Sequence, residues 1–310
     1  MPGLNDKNPM RLDADEKSVF FKRQLEYVKR NTYDIKYKNL RAKEFIPVST
    51  EIPTGADTWT WRSYDKVGVA KIIADYAHDF PRVDVYAVEN TLKIKGIGAS
   101  YGYSIQEIRA SQFAGNQLET RRANTARRSV EEKLDNLAWF GDANYNLQGF
   151  IGYPGVTEAT VVTGTWATAT PDEIVGDVTA LMNAITVPTK GKEVPDTLIM
   201  PRTQYNIIKD KRMTDGNSKT VLTYLMEVNS VNNPGFMIEA VDELEGQGAA
   251  GSQRMYAYMR DPEHLTQEIP QMFEMFDADK EGMEYVIPCH ARFGGVCIYY
   301  LQAVAFMDGI

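Results

Sequence analysis

Cysteine is almost missing from this chain. Cys289 and Cys297 are the only two in 310 residues, which excludes a disulfide framework and suits a reducing compartment. Long apolar runs are missing as well, since none approaches the ~20 residues that a membrane-spanning helix needs. The opening MPGLNDKNPMRLDADEK is polar and charged, without the apolar stretch of an export signal, so none is expected. Histidine is scarce, at His78, His264 and His290. Cys289, His290 and Cys297 form the one cluster with ligand chemistry, but C-H-x6-C lacks the C-x2-C or H-x3-H partner of a zinc site. On an alternating strand the two thiols share a face and the imidazole leaves it, so both cysteines read as core residues.

Phosphate-binding signatures are absent too. No G-x-x-x-x-G-K-[ST] occurs, and the zinc-binding H-E-x-x-H of metalloproteases does not occur either. In KIKGIGASYGYS, residues 93–104, the glycines run G-x-G-x-x-x-G inside a strand pattern. A dinucleotide fingerprint wants G-x-G-x-x-G at a strand-to-helix turn. Along that strand Lys93, Lys95, Ile97, Ala99, Tyr101 and Tyr103 share one face. The other face carries Gly96, Gly98, Ser100 and Gly102 and is nearly bare, which lets another layer approach closely. Paired acids such as Asp172–Glu173 and Glu131–Glu132 sit at a helix start and on a helix face, where carboxylates are routine.

The chain does hold enough apolar residues, 43 %, for a substantial core. Its net charge of −8 argues against a dedicated nucleic-acid binder. The charge is uneven: residues 1–50 hold 11 Lys and Arg against 7 Asp and Glu, and residues 237–290 hold 3 against 12. Two solvated faces of different composition account for this, as would surfaces facing different neighbours.

The spacing of Phe20, Phe21, Leu25 and Val28 predicts an amphipathic helix over 17–30, followed by an extended, turn-rich arm. TWTWRSY, 58–64, alternates as a strand, and the return segment LKIKGIGASYGYS is expected to pair with it. The stretch between them, with strand-like pieces and a break at Pro81, makes a long β-arm. Ser104 and Glu107 form a capping box for a short helix that Gly115 ends. A long helix runs over 118–140 with the stripe Ala123, Ala126, Val130, Leu134 and Leu137/Ala138. Arg127–Glu131 and Arg128–Glu132 are i,i+4 pairs on it. Arg121, Arg122, Arg127 and Arg128 give this helix a solvated or subunit-contacting face. Thr170 and Pro171 open a further helix as N-cap and N1. Helices are expected over 201–210 and 218–230, and strands at DTLIM, FMIEAV, RMYAYM, LTQEI, MEYVI and GVCIYYLQAVAF. There is no regular βαβ alternation, so the fold class is α+β.

This order of parts, a basic arm, a β-arm, a short helix, and a long helix ending in W-F-G-D before a β-rich remainder, resembles a known family. The stretches that carry the likeness are YDIKYKNLRAKEFIPVSTEIP, RSYDKVGVAKIIADYAHDFPRVDV, GASYGYSIQEIRA, LAWFGDANYNLQGF and IPCHARFGGVCIYY, spread over residues 30–310. They resemble the major capsid proteins of tailed bacteriophages, those with the Hong Kong 97-type fold, and their encapsulin relatives. The resemblance implies an N-terminal arm (1–50), an E-loop with flanking strands (51–103) and a P-domain (104–167) with the spine helix 118–140. It further implies an A-domain (168–260) and closing strands of the P-domain (261–310).

The implied function is structural: an icosahedral head shell around a phage double-stranded DNA genome, with no catalysis, no cofactor and no metal. Implied partners are copies of the chain itself in pentamers and hexamers, packaged DNA bound without sequence preference, and portal, scaffolding and decoration proteins. No membrane is implied; assembly would take place in the host cytoplasm and end in the virion. Lys66, Lys71, Gly96, Gly98, Gly102, Arg121 and Arg128 are the candidate subunit contacts. Some relatives carry a cleaved N-terminal scaffolding segment; here the short arm implies separate scaffolding or none. Some crosslink E-loop lysines, but no motif assigns that to Lys66, Lys71, Lys93 or Lys95, and no crosslink is expected. An encapsulin-type compartment around a cargo protein is the alternative, and a small-molecule α+β enzyme a second one, for which no cluster has the right spacing.

Overall fold

The computed structural model describes residues 38–70, 82–114, 118–162, 164–214 and 219–310. The chain divides into two compact units, Met1–Asn39 and Leu40–Ile310, and all described elements belong to the second. The helix expected over 17–30, Lys71, the Pro81 break and the Gly115 stop lie outside the described residues. The first elements are α1 (Ala42–Phe45), β1 (Val48–Ser49), β2 (Thr58–Val67), β3 (Asp84–Lys93), β4 (Lys95–Ser104), α2 (Ile105–Ala114) and α3 (Leu118–Phe140). Next come β5 (Thr157–Ala159), α4 (Pro171–Thr186), β6 (Thr197–Met200), α5 (Arg202–Asp210), α6 (Val221–Asn232), β7 (Met237–Ala240) and β8 (Arg254–Tyr258). The chain closes with β9 (Leu265–Glu268), β10 (Gln271–Met275), β11 (Asp279–Glu281), β12 (Glu284–Phe293), β13 (Val296–Ile298) and β14 (Val304–Asp308).

A five-stranded mixed sheet, ordered β5-β14-β8-β6-β7, is the partition between two cores. Strand side chains alternate between faces, and here both faces are buried. Ile199, Tyr256, Tyr258 and Val304 join Phe45, Trp139 and Phe150 in one core. Leu198, Met200, Met255, Ala257, Ala305 and Met307 join α4, α5 and α6 in the other. This is why MYAY, 255–258, reads as a continuous apolar run rather than an alternating one. Helix α4 enters under the expected cap: Thr170 and Glu173 form a reciprocal capping box with Pro171 at the first turn. Its Ile174, Val178, Leu181 and Ile185 are fully buried, each worth about 1.5–3 kcal/mol.

Helix α3 carries its stripe as expected, with Ala126, Val130, Leu134, Leu137 and Ala138 buried. It packs across β4 and β12. At its end, Gly141 adopts φ +67° and donates from N to Leu137 O at 2.9 Å. The chain then doubles back: Phe150 N donates to Ala138 O and Ile151 N to Trp139 O, at 2.9 and 2.7 Å. A glycine in the left-handed region is the usual way to stop a helix and turn at once.

Three expectations need correction. Strand β2 pairs with β3, not with the glycine-bearing segment, and β4 instead pairs along its whole length with β12. The stretch 295–306 is two strands, not one. Tyr299 N caps His264 O at 2.8 Å and a 3-10 turn at Leu301–Ala303 carries the chain from the three-stranded sheet β1-β9-β13 into the five-stranded one. The strand expected at MEYVI runs on to Phe293. As a result the segment 261–310 is divided between layers, with β14 inside the sheet built mainly from residues 197–258.

Candidate subunit-interface surface

The β2–β3 hairpin is the longest largely exposed strand pair among the described residues. Its two strands, of 10 residues each, pair from Thr58 opposite Lys93 to Val67 opposite Asp84, and no third strand joins them among the described residues. Its base is fastened to the body. Trp59 Nε1 donates to Gly294 O at 3.2 Å, Trp61 meets Tyr299 edge-on, and Leu92 is buried. Arg292 reaches across to Thr54 O and to Asp57 Oδ1, the latter at 3.0 Å, and holds the entry to β2.

Beyond the base the ribbon is open on both sides. Val67, Tyr86 and Val88 lie on the face that starts with the tryptophans, and Tyr64, Val85 and Ala87 on the other. Tyr64 is 66 % exposed, Tyr86 59 % and Val88 57 %. Cross-strand polar pairs, Arg62–Glu89 at 2.7 Å and Thr60–Thr91 at 2.8 Å, stiffen the middle. A two-stranded ribbon is marginal alone in water, and one that presents valine and tyrosine gains by being covered.

The expected contact residues fall on three separate surfaces. Lys66 is exposed on the hairpin opposite Val85; Lys71 is outside the described residues. Gly96, Gly98 and Gly102 lie on the outward side of β4, opposite Arg292, His290 and Val286. Side chains of this same chain overlie two of them. A Cβ on Gly96 would stand 2.7 Å from His290 Nε2, and one on Gly102 2.3 Å from Glu284 Oε1 and 3.1 Å from Tyr285 O. Gly98 has ordinary clearance, 3.8 Å to Cys289 O. Arg121 is exposed on α3, and Arg128 is held by Glu132 at 2.7 Å.

Sequence reasoning gave Arg122 no role of its own, yet it joins three elements. Its guanidinium pairs with both Glu107 oxygens at 2.9 and 3.1 Å, reaches Gly102 O and lies 4.9 Å over the Tyr103 ring. Glu107 is thereby held below the usual carboxylate range, by Arg122 first and by the Ser104 N–H second. The distal apolar residues of β3 were also missed, although VYAV, 85–88, is an unbroken apolar run.

Two letter patterns of hydrolases occur without their mechanical context. GASYG, 98–102, spells G-x-S-x-G in mid-strand, where the motif needs a strand-to-helix turn. Ser63 and Lys66 spell S-x-x-K on β2, where that spacing sends the two side chains to opposite faces. Cys289 and Cys297 are buried and unbridged, and burial pushes the Cys297 thiol up. Among the described residues no group of three or more His, Cys, Asp or Glu could hold a metal ion, and no helix is long and apolar enough to cross a membrane.

The sequence profile described as "Major capsid protein" matches residues 68–310. The chain belongs to the major capsid protein family. Solved structures agree on the fold of this capsid protein. The capsid of Myoviridae phage XM1 superposes with a TM-score of 0.80 at 18 % identity, over 95 % of this chain and 100 % of that one. The capsid of an empty GTA particle gives 0.67 at 11 % identity, over 94 % and 97 %. A chain of Mycobacterium phage Bobi gives 0.59 at 14 % identity, over 91 % and 94 %. No curated protein matches the sequence. The fold is the α+β capsid fold of the Hong Kong 97 type, and the protein is a structural shell subunit that assembles with copies of itself as a virion component.

Proposed function

We propose that this capsid protein builds, as pentamers and hexamers, the icosahedral head shell around a phage double-stranded DNA genome, with the β2–β3 hairpin as an E-loop laid across a neighbouring subunit. The observation that carries the reading is the hairpin: anchored at Trp59, Trp61 and Leu92, exposed and apolar at Tyr64, Val85, Tyr86 and Val88. In this reading 1–50 is the N-terminal arm, 104–167 and part of 261–310 the P-domain with α3 as spine, and 168–260 the A-domain around the symmetry axes. Lys66, Lys71, Arg121 and Arg128 contact neighbours, and Gly98 on β4 leaves room for one. The arm, with 11 basic against 7 acidic residues, faces DNA through salt-dependent, sequence-independent attraction. The subunit performs no catalysis, uses no cofactor, assembles in the host cytoplasm and meets portal, scaffolding and decoration proteins there.

The test is multi-angle light scattering with negative-stain microscopy on the full chain, then analysis of what particles from virion-producing cells contain. Closed shells, or pentameric and hexameric rings, with nuclease-protected DNA inside the virion particles are the expected result. Particles loaded with a protein cargo and no DNA would overturn the genome-shell reading in favour of a protein compartment.

A further inference from the structure

A groove of about 800 Å³ lies between β1 and β2, with Glu51, Trp61, Tyr64, Glu263, Tyr299 and Tyr300 in its lining. Both flanking strands have an open edge. Gln267 N and Ile269 N donate to Pro47 O and Ser49 O, at 2.8 and 2.9 Å, so the backbone groups of Val48 and Thr50 point away from β9. On the hairpin, Ile94 N donates to Asp57 O at 2.9 Å. Alternation of bonded pairs from there sends the backbone groups of Thr60, Arg62 and Tyr64 away from β3. No further strand pairs with β1 or β2 on those sides among the described residues. Arg62, in the same lining, is already paired with Glu89 at 2.7 Å, which leaves the exposed Glu51 and Glu263 to set the charge of the groove.

The far end of the hairpin has the matching properties. From the Arg62–Glu89 pair toward the tip, Lys66 is the only charged side chain that β2 and β3 place on the face of Tyr64, Val85 and Ala87; Asp65 and Asp84 lie on the opposite face. Val67, Val69 and Val83 beside it are 48 %, 78 % and 65 % exposed. The geometry points to a head-to-tail contact between two copies of this chain, in which segment 66–70 of one lies extended in the β1–β2 groove of the next. It rests on the hairpin reading above and names the surface that receives the hairpin. Side chains of an extended segment alternate, so Lys66 goes to one side and Val67 and Val69 to the other. One strand thus offers a cation to Glu51 and Glu263 and apolar surface to the tryptophan and tyrosine rings. Its backbone meets two open strand edges. The occupant is a second copy because Lys66 follows Tyr64 by two residues on the same extended strand and cannot turn back into the groove that Tyr64 lines. Tip and groove are different patches, so the contact is heterologous, and a rotation that closes makes a ring of it.

Charge reversal tests this on the full chain. K66E and the pair E51K/E263K are each expected to lower shell yield about tenfold, and the combined variant to restore it to within about twofold of the parent. A combined variant no better than either reversal overturns the contact. Cysteine pairing gives a second readout, because both native thiols are buried. Shells of the T50C/V69C variant, treated with oxidised glutathione, are expected to give ladders of linked chains in non-reducing gels, and either single variant to give monomers. A double variant that stays monomeric in shells overturns the contact as well. Hydroxyl-radical footprinting of parent shells against dissociated subunits separates it from the hairpin reading: Tyr300 and Tyr86 are both expected to be severalfold protected in shells. Tyr86 protected with Tyr300 open sinks the groove and leaves the hairpin standing. Both tyrosines open sinks the two together.

Discussion

Trp61 meets Tyr299 edge-on, with ring centroids 6.0 Å apart, while Trp59 packs against Trp61 at 5.0 Å. This aromatic joint connects the exposed hairpin to the strand region that closes the fold, so it bears on both folding and assembly. An edge-to-face pair adds roughly 0.5–1.5 kcal/mol beyond the area it buries. Trp61→Ala is expected to lower subunit stability by about 1–2 kcal/mol in urea unfolding. Shell yield should fall further than that loss of folding explains, because the hairpin is no longer aimed. A Trp61→Ala subunit as stable as the parent, with full assembly, would show that the hairpin is positioned elsewhere.

The far end of the hairpin should behave in the opposite way. Tyr86 and Val88 are 59 % and 57 % exposed and lie on one face with Val67. Replacing both with lysine removes nothing from the subunit core, so unfolding midpoints should stay within about 0.5 kcal/mol of the parent. Assembly, read by light scattering, should be lost, since two unpaired ammonium groups would be buried against a neighbour. Normal shells from the double variant would remove the hairpin from the list of interfaces.

What the sequence disclosed and what it hid follow one physical division. Signals within a turn or two were readable: the Ser104–Glu107 capping box, the Thr170 N-cap with Pro171 behind it, the stripe of α3 and both of its arginine–glutamate pairs all stand where spacing puts them. Pairing was not readable. β2 and β4 both alternate, and nothing in either says that the first takes β3 and the second β12, some 190 residues away along the chain. The bare face of β4 was visible in its glycines. Its tenants His290 and Glu284 come from that distant strand, so a subunit contact and an intramolecular one looked alike. Short β10 and β11 went unseen because QMFEM and DKE carry acids and too few residues for a period. The exposed valines of β3 needed a structure, since exposure is not a property of a sequence window.

Gly141 is a sharper test of the fold than any glycine of β4. At φ +67° it already sits where other residues are strained, and a Cβ there would stand 2.4 Å from Leu147 O and 2.6 Å from Gly149 N. Both are backbone atoms held by the returning chain, so no side chain can swing away. Gly141→Ala is expected to cost more than about 2 kcal/mol, or to abolish recovery of folded subunit. Gly98→Ala meets only ordinary contact at 3.8 Å and should leave the isolated subunit unchanged. Equal stability of the two variants in thermal unfolding would contradict the reading of the α3 stop.

Acid should loosen the junction of β4, α2 and α3 before the cores. Glu107 is held below the ordinary carboxylate value, by Arg122 first and by the Ser104 N–H second. A group whose folded value is depressed adds stability that is present above the unfolded value and is lost as pH falls through the folded one. Glu173 is depressed in the same sense by the Thr170 N–H and hydroxyl, so the parent has at least two such sources. Unfolding midpoints should therefore drop on going from about pH 6 to pH 3. Glu107→Gln removes the first source only. That variant should be less stable than the parent near neutrality and should converge on it as the parent carboxylate protonates, leaving the slope due to Glu173. Two curves that stay parallel across the range would mean that Arg122 does not hold Glu107 in solution, and the three-element clamp would lose its electrostatic basis.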